Sequence, residues 1–110
     1  MYRHKAPLDE TSLITVLKAL ADKNRFAMMQ EIAAAGELSC GQVKDRFHLS
    51  QPTISHHMKI LSDAGVLVMR ESGQHHFVSV NLDLIHEIAA FLPTGVSRKV
   101  KRQPAKRATR

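Results

Sequence analysis

Tryptophan is absent from the chain, tyrosine occurs once and phenylalanine four times, so any interior must be built from aliphatic side chains and the five methionines. At 110 residues, that interior belongs to one small domain. A single cysteine, Cys40, excludes an internal disulfide and any zinc or iron–sulfur site made of several thiolates from one chain. No apolar run is long enough to cross a bilayer, and the opening MYRHKAPLDE lacks the apolar stretch of a secretory signal. A cytoplasmic protein without a membrane partner is expected. Acidic residues are missing from positions 93–110, which hold seven lysines and arginines, whereas positions 1–92 hold nine of them against ten acids. The formal charge of +6 therefore sits in the tail. Such a tail serves solubility; beside a folded reader of polyanions it also adds sequence-independent attraction to phosphates.

Residues 1–8 are polar, carry Pro7 and form a flexible lead-in; 9–92 are the folded domain; 93–110 are a basic, disordered tail. Within the domain, Leu13, Val16, Leu17 and Leu20, widened by Ile14 and Ala21, mark a first helix over about 9–21. Asp22 to Asn24 offer a break and a new cap. Phe26, Met29, Ile32 and Ala33 then repeat the spacing as far as Gly36. Ser39 with Gln42 matches a capping box and opens a short helix that buries Val43 and Phe47, and His48-Leu49-Ser50 is a turn.

The stretch SQPTISHHMKILSDAGVL (Ser50 to Leu67) organises the rest. Ser50 or Gln51 caps it, Pro52 suits a first turn where its missing N–H costs nothing, and Gly65 supplies a left-handed stop. At about 100° per residue, Ile54, Met58, Leu61 and Gly65 share one stripe, with Ser55, His56, Lys59 and Asp63 opposite. A short helix, a tight turn and a longer helix with a polar outer face make a helix-turn-helix. Val66 to Glu71, the turn Ser72-Gly73-Gln74, and the alternating His76 to Asn81 then form a hairpin, the wing. Asn81 or Asp83 caps a last helix that Pro93 and Gly95 end. The fold class is mainly α with a β-hairpin wing, a winged helix-turn-helix of order α-α-α-α-β-β-α.

A helix lying in the major groove needs short donors and acceptors near its N-terminus, and Ser50, Gln51, Thr53, Ser55 and His56 supply them. Gln51 can pair with adenine through both amide atoms, the Thr53 methyl can meet thymine, and Lys59 is placed for a phosphate. His57 flanks the apolar stripe and is structural. In the wing, Arg70, Gln74 and His75 reach phosphates or the adjoining minor groove. The first and last helices are apolar over a broad arc, so Leu13, Val16, Leu17, Leu84, Ile85, Ile88, Phe91 and Leu92 are expected at a homodimer interface, the alternative being that both helices pack wholly within one chain.

From Leu13 to Leu92 the chain resembles the arsenic-repressor (ArsR) type of winged-helix regulator, on LKALADKNRFAMMQEI, GELSCGQV, LSQPTISHHMKILSDAGVL and the wing RESGQHHFVSV. Lys23-Asn24 replaces a proline-threonine pair common in the family. The resemblance implies a homodimeric repressor on a promoter inverted repeat of double-stranded DNA, with the first and last helices at the dimer contact. It also implies that the family's metal sites are not intact. Ser39 and Gly41 stand where its thiolate sensors carry cysteines, with Cys40 between them; Asp83 and His86 match one end of its last-helix zinc site, but Ala89 to Val96 hold no ligand type. No metal or cofactor is expected. The inducer stays open among a metal at other histidines, an oxidant at Cys40, a small molecule and none.

Cys40, in the first turn of a helix, is a candidate redox thiol with a lowered pKa, or else a small core residue. His75-His76 lie on opposite faces of a strand and do not share one ion. Ser55 and His56 are adjacent on a helix and do not face each other, so no enzyme is expected. A different class of function, a winged-helix protein-interaction module or a nonspecific architectural DNA binder, would use the apolar outer helices or the tail instead.

Overall fold

The computed structural model describes residues 8–93. The basic tail at 94–110 lies outside the described residues, and of the lead-in expected at 1–8 only Leu8 is described; it is buried in the core.

Each helix begins where a side chain accepts the N–H groups that a first turn leaves unpaired. Asp9 Oδ1 accepts from Ser12 N–H at 2.8 Å and starts α1 (Glu10–Leu20). Asp22 Oδ2 takes the N–H groups of Asn24 and Arg25, both at 3.0 Å, and starts α2 (Lys23–Ala35). After a short strand β1 (Leu38–Ser39), the capping box of Ser39 and Gln42 opens α3 (Cys40–Phe47). His48, left-handed at φ 54°, turns the chain, and Ser50 caps α4 (Gln51–Asp63). Gly65 at φ 88° then adopts a conformation that would strain any Cβ, sending the chain into β2 (Leu67–Ser72). β2 returns through Gly73-Gln74 as β3 (His75–Val80), and Asn81 caps α5 (Leu82–Phe91).

The sheet has three antiparallel strands in the order β1-β3-β2, with Leu38 opposite Val78 and Met69 opposite the same residue on the other side. The wing is thus a hairpin plus one further strand, which the order read from the sequence omitted. Two residues are too few to show a period, and β1 exists only because β3 offers it a partner. Val78, fully buried, brings the sheet onto a core that includes Val16, Met28, Ile32, Val43, Ile54, Leu61 and Leu84. Burying each such side chain contributes roughly 1.5–3 kcal/mol.

Two expectations are corrected by this packing. In α2 the buried pair is Met28 and Ile32, whereas Phe26 is 45% exposed and Ala33 is exposed. Apolar residues lie on several sides of this helix, so periodicity alone selects no stripe; contact with α1 and α4 selects it. In the outer helices, Leu13, Val16, Leu84 and Ile88 are buried in the chain's own core rather than turned outward toward a second copy. Leu17 and Ile85 are half-buried, and Phe91 and Leu92 are about half exposed at 46% and 44%. Ile14 and Leu82 add to that outward apolar surface.

Asn81 ties the sheet to both helices that flank it. Its Oδ1 accepts the Leu84 N–H at 3.3 Å, its Nδ2 donates to the Gly65 carbonyl at 3.2 Å, and its backbone N–H donates to the Val66 carbonyl at 2.9 Å. Asn81→Ala should lower unfolding free energy by about 1–2 kcal/mol, since it removes a cap and leaves a half-buried carbonyl without its side-chain donor. Urea denaturation followed by circular dichroism measures this, and a loss of only a few tenths would contradict it.

Candidate nucleic-acid interface

Four helix positions decide what α4 shows to the outside. Ile54 (1% exposed), Met58, Leu61 (0%) and the largely buried His57 face the core, which turns Gln51, Thr53, Ser55, His56 and Lys59 to the surface. Ser50 is also exposed, but its hydroxyl is engaged: Oγ accepts the Thr53 N–H at 3.3 Å and lies 2.9 Å from Thr53 Oγ1. Gln51 Nε2 donates to Ser55 Oγ at 3.3 Å across one turn. These contacts hold the polar side chains of the first two turns in one ordered row. Lys59 pairs with Asp63 at 3.0 Å, an exposed pair of the kind that contributes under about 1 kcal/mol and yields readily to a phosphate.

The wing divides. Gln74 and His75 are exposed at its turn, available to a groove or backbone beside α4. Arg70 is exposed as well, but like Lys59 it carries a carboxylate partner. Its Nη2 and Nε donate to the two Glu37 carboxylate oxygens at 2.8 and 3.0 Å, and its guanidinium carbon lies 4.6 Å from the Phe77 ring centroid. Arg70 ties the wing's first strand to the residue just before β1. Sequence reasoning missed Glu37, because its partner lies 33 positions away and they meet only once β1 joins the sheet.

Cys40 opens α3 half-buried, and burial pushes its thiol up from the ordinary value rather than down. That direction is opposite to the lowering expected from its place in a first turn. Cys40 lines a cavity of about 280 Å³ with Ile54, Ser55, Met58 and Met69. His76 Nδ1 lies 3.7 Å from Glu71 Oε2, and among the described residues no three histidine, cysteine or carboxylate groups gather as a metal site. His57 is structural, as expected, with Nδ1 3.3 Å from Arg25 Nη1. Arg25 was legible only as a member of a family segment; nothing local in the sequence points it at α4.

What this arrangement can do is present a row of short hydrogen-bonding side chains on an exposed helix face, beside a two-residue turn. Comparison with known proteins agrees with that picture. Residues 20–70 match a family described as a helix-turn-helix domain. The arsenical resistance operon repressor of Staphylococcus aureus is 36% identical over 76 residues, 69% of this chain and 72% of that one. The transcriptional repressor SdpR of Bacillus subtilis is 31% identical over 72 residues, 66% and 79% of the two chains. Among solved structures, an ArsR-like transcriptional regulator from Rhodococcus superimposes with a TM-score of 0.68 at 20% identity, over 74% of this chain and 76% of that one, a likeness of fold.

The Arg70 guanidinium hydrogen-bonded to Glu37 holds that carboxyl below its ordinary value of 4.5. A carboxyl that titrates lower in the folded state contributes stability present above the unfolded value and lost as pH falls through the folded one. Glu37→Gln should therefore lower the thermal midpoint slightly at about pH 7, and the difference should narrow as pH falls and the native carboxyl takes up its proton. Thermal melts of both proteins across that range test it, and a difference that fails to narrow in acid would count against the pair.

Proposed function

We propose, from a chain that belongs to the ArsR family of winged helix-turn-helix transcriptional regulators, that it works as a homodimer on an inverted-repeat operator. The staphylococcal arsenical resistance operon repressor and SdpR are repressors, and the chain is a DNA-binding transcriptional repressor of that kind. The observation that carries the finer reading is the orientation of α4, whose buried Ile54, Met58 and Leu61 leave Gln51, Thr53, Ser55 and His56 outward at its N-terminal end.

In this reading α4 lies in the major groove. Gln51 trades its bond to Ser55 for the paired acceptor and donor of an adenine, Thr53 sets its methyl against a thymine, and Ser55 and His56 take neighbouring base edges. Ser50 acts chiefly as the cap that keeps the helix start in place, where free N–H groups favour a phosphate. Lys59 leaves Asp63 for the backbone, and Gln74 and His75 enter the flanking groove. The half-exposed Ile14, Leu82, Phe91 and Leu92, with Leu17 and Ile85 beneath, are the surface that a second copy would cover. Two copies would then set their reading helices about 34 Å apart, one turn of DNA. Among the described residues no helix is long and apolar enough to cross a membrane, and a place in the cytoplasm beside DNA suits the proposed role.

Selection from a pool of random duplexes should return a palindromic motif. Gln51→Ala with Ser55→Ala should then weaken binding to that motif by roughly 10- to 100-fold while changing binding to a random duplex by less than about threefold. Equal losses on both would remove base reading by these residues, and absence of any enriched motif would favour an interaction module or an architectural binder. The dimer is tested separately. Phe91→Glu places a charge on the outward apolar face and should shift sedimentation from dimer to monomer with little loss of thermal stability; a wild-type monomer at micromolar concentration would overturn the proposal.

A further inference from the structure

Arg25 is where three parts of the domain meet. Its backbone N–H donates to the Asp22 cap at 3.0 Å, its Nε donates to the Ala19 carbonyl in the last turn of α1 at 2.6 Å, and its Nη1 lies 3.3 Å from Nδ1 of His57, near the middle of α4. A guanidinium has only N–H donors to offer, and it stays charged at every physiological pH. The contact is therefore a hydrogen bond only if Nδ1 offers its lone pair, which makes the His57 ring neutral with its proton on Nε2.

The rest of the α4 inner face is apolar. Dispersion contacts through Ile54, Met58 and Leu61 set which side faces the core but resist small slides and tilts weakly, because they are not directional. The Arg25–His57 bond is directional. It ties the helix that carries the proposed base readers to the α1–α2 pair through one donor that is itself held at the Ala19 carbonyl.

We infer that Arg25 is a positioning residue for DNA reading, and that it anchors α4 only while His57 is neutral. This rests on the reading of α4 as the base-reading helix. A second proton on the ring replaces the acceptor with a donor and sets two cations 3.3 Å apart. From α2 and its cap the ring is faced by Arg25 and by the Asp22 carboxylate, which already accepts two N–H groups. From α4 itself it is faced by His56, with ring centroids 6.0 Å apart. Lys18 of α1 and Asp63 of α4 line the cavity that also borders Arg25. On the elements packed elsewhere against α4, Arg46 of α3 and Arg70 of β2 have carboxylate partners of their own. A ring that carries both protons therefore cannot keep this tie between α4 and the α1–α2 pair.

His57→Asn puts an amide oxygen, which cannot take a proton, where Nδ1 stands. Affinities of wild type, His57→Asn and Arg25→Gln would be measured on the palindromic duplex recovered by selection and on a random duplex, at about pH 8 and about pH 5.5. The random duplex accounts for effects of pH on DNA binding that do not depend on sequence. Wild type should lose roughly tenfold more of its preference for the selected duplex on acidification than His57→Asn does, and Arg25→Gln should have a reduced preference at both pH values. Matching pH profiles for wild type and His57→Asn would overturn the inference. Nitrogen-15 spectra of the wild-type ring at about pH 8 decide it independently, even if the variant fails to fold: an Nε2–H tautomer is expected, and an Nδ1–H tautomer would overturn it. A wild type with no duplex preference at about pH 8 would instead remove the base-reading role of α4, and with it this function for Arg25.

Discussion

Burial of Ile54, Met58 and Leu61 against the rest of the core is the constraint on which everything this protein shows to a partner depends. A helix advances about 100° per residue, so fixing three positions of α4 fixes the direction of the other ten. Gln51, Ser55 and His56 face outward because their neighbours cannot. Aliphatic packing thus chooses which side of the helix is presented, while polar contacts on and behind it, such as Gln51–Ser55 and Arg25–His57, set its finer placement.

Caps complete that arrangement by fixing where each helix begins. Asp9, Asp22, Ser39, Ser50 and Asn81 all accept backbone N–H groups at helix starts. In a chain this short, with a core of modest side chains, such local bonds agree with the packing about where each helix starts, and that agreement adds to specificity. Ser50 has the sharpest consequence: a cap one residue later would begin the reading helix in a different phase relative to the turn after α3.

The features most legible in the sequence were those encoded locally. The capping box, the stripe of α4, the Gly65 stop and the alternation around Phe77 and Val78 each depend on residues a few positions apart, and the structure contains them all. What could not be read depends on partners brought from far away. The two residues of β1 carry no period, so Glu37 gave no hint that it would meet Arg70. Met28 displaced Phe26 in the core because neighbouring helices, not the α2 pattern, chose the buried side. Cys40 showed its helix position but not its burial, and burial governs its acidity. The outward face of α4 was thus readable in advance, whereas the supports behind it and beside the wing were not.

Ser39 belongs to two structures at once. It is the last residue of β1, paired with Phe77 on β3, and its side chain is the cap of α3. No residue separates β1 from α3, so that edge of the sheet runs straight into the helix-turn-helix. A push on the hairpin reaches the first turn of α3 through one shared backbone unit. The base of the hairpin and the first turn of α3 are therefore coupled directly, so a substitution that disturbs the pairing of Ser39 with Phe77 also disturbs the cap of α3.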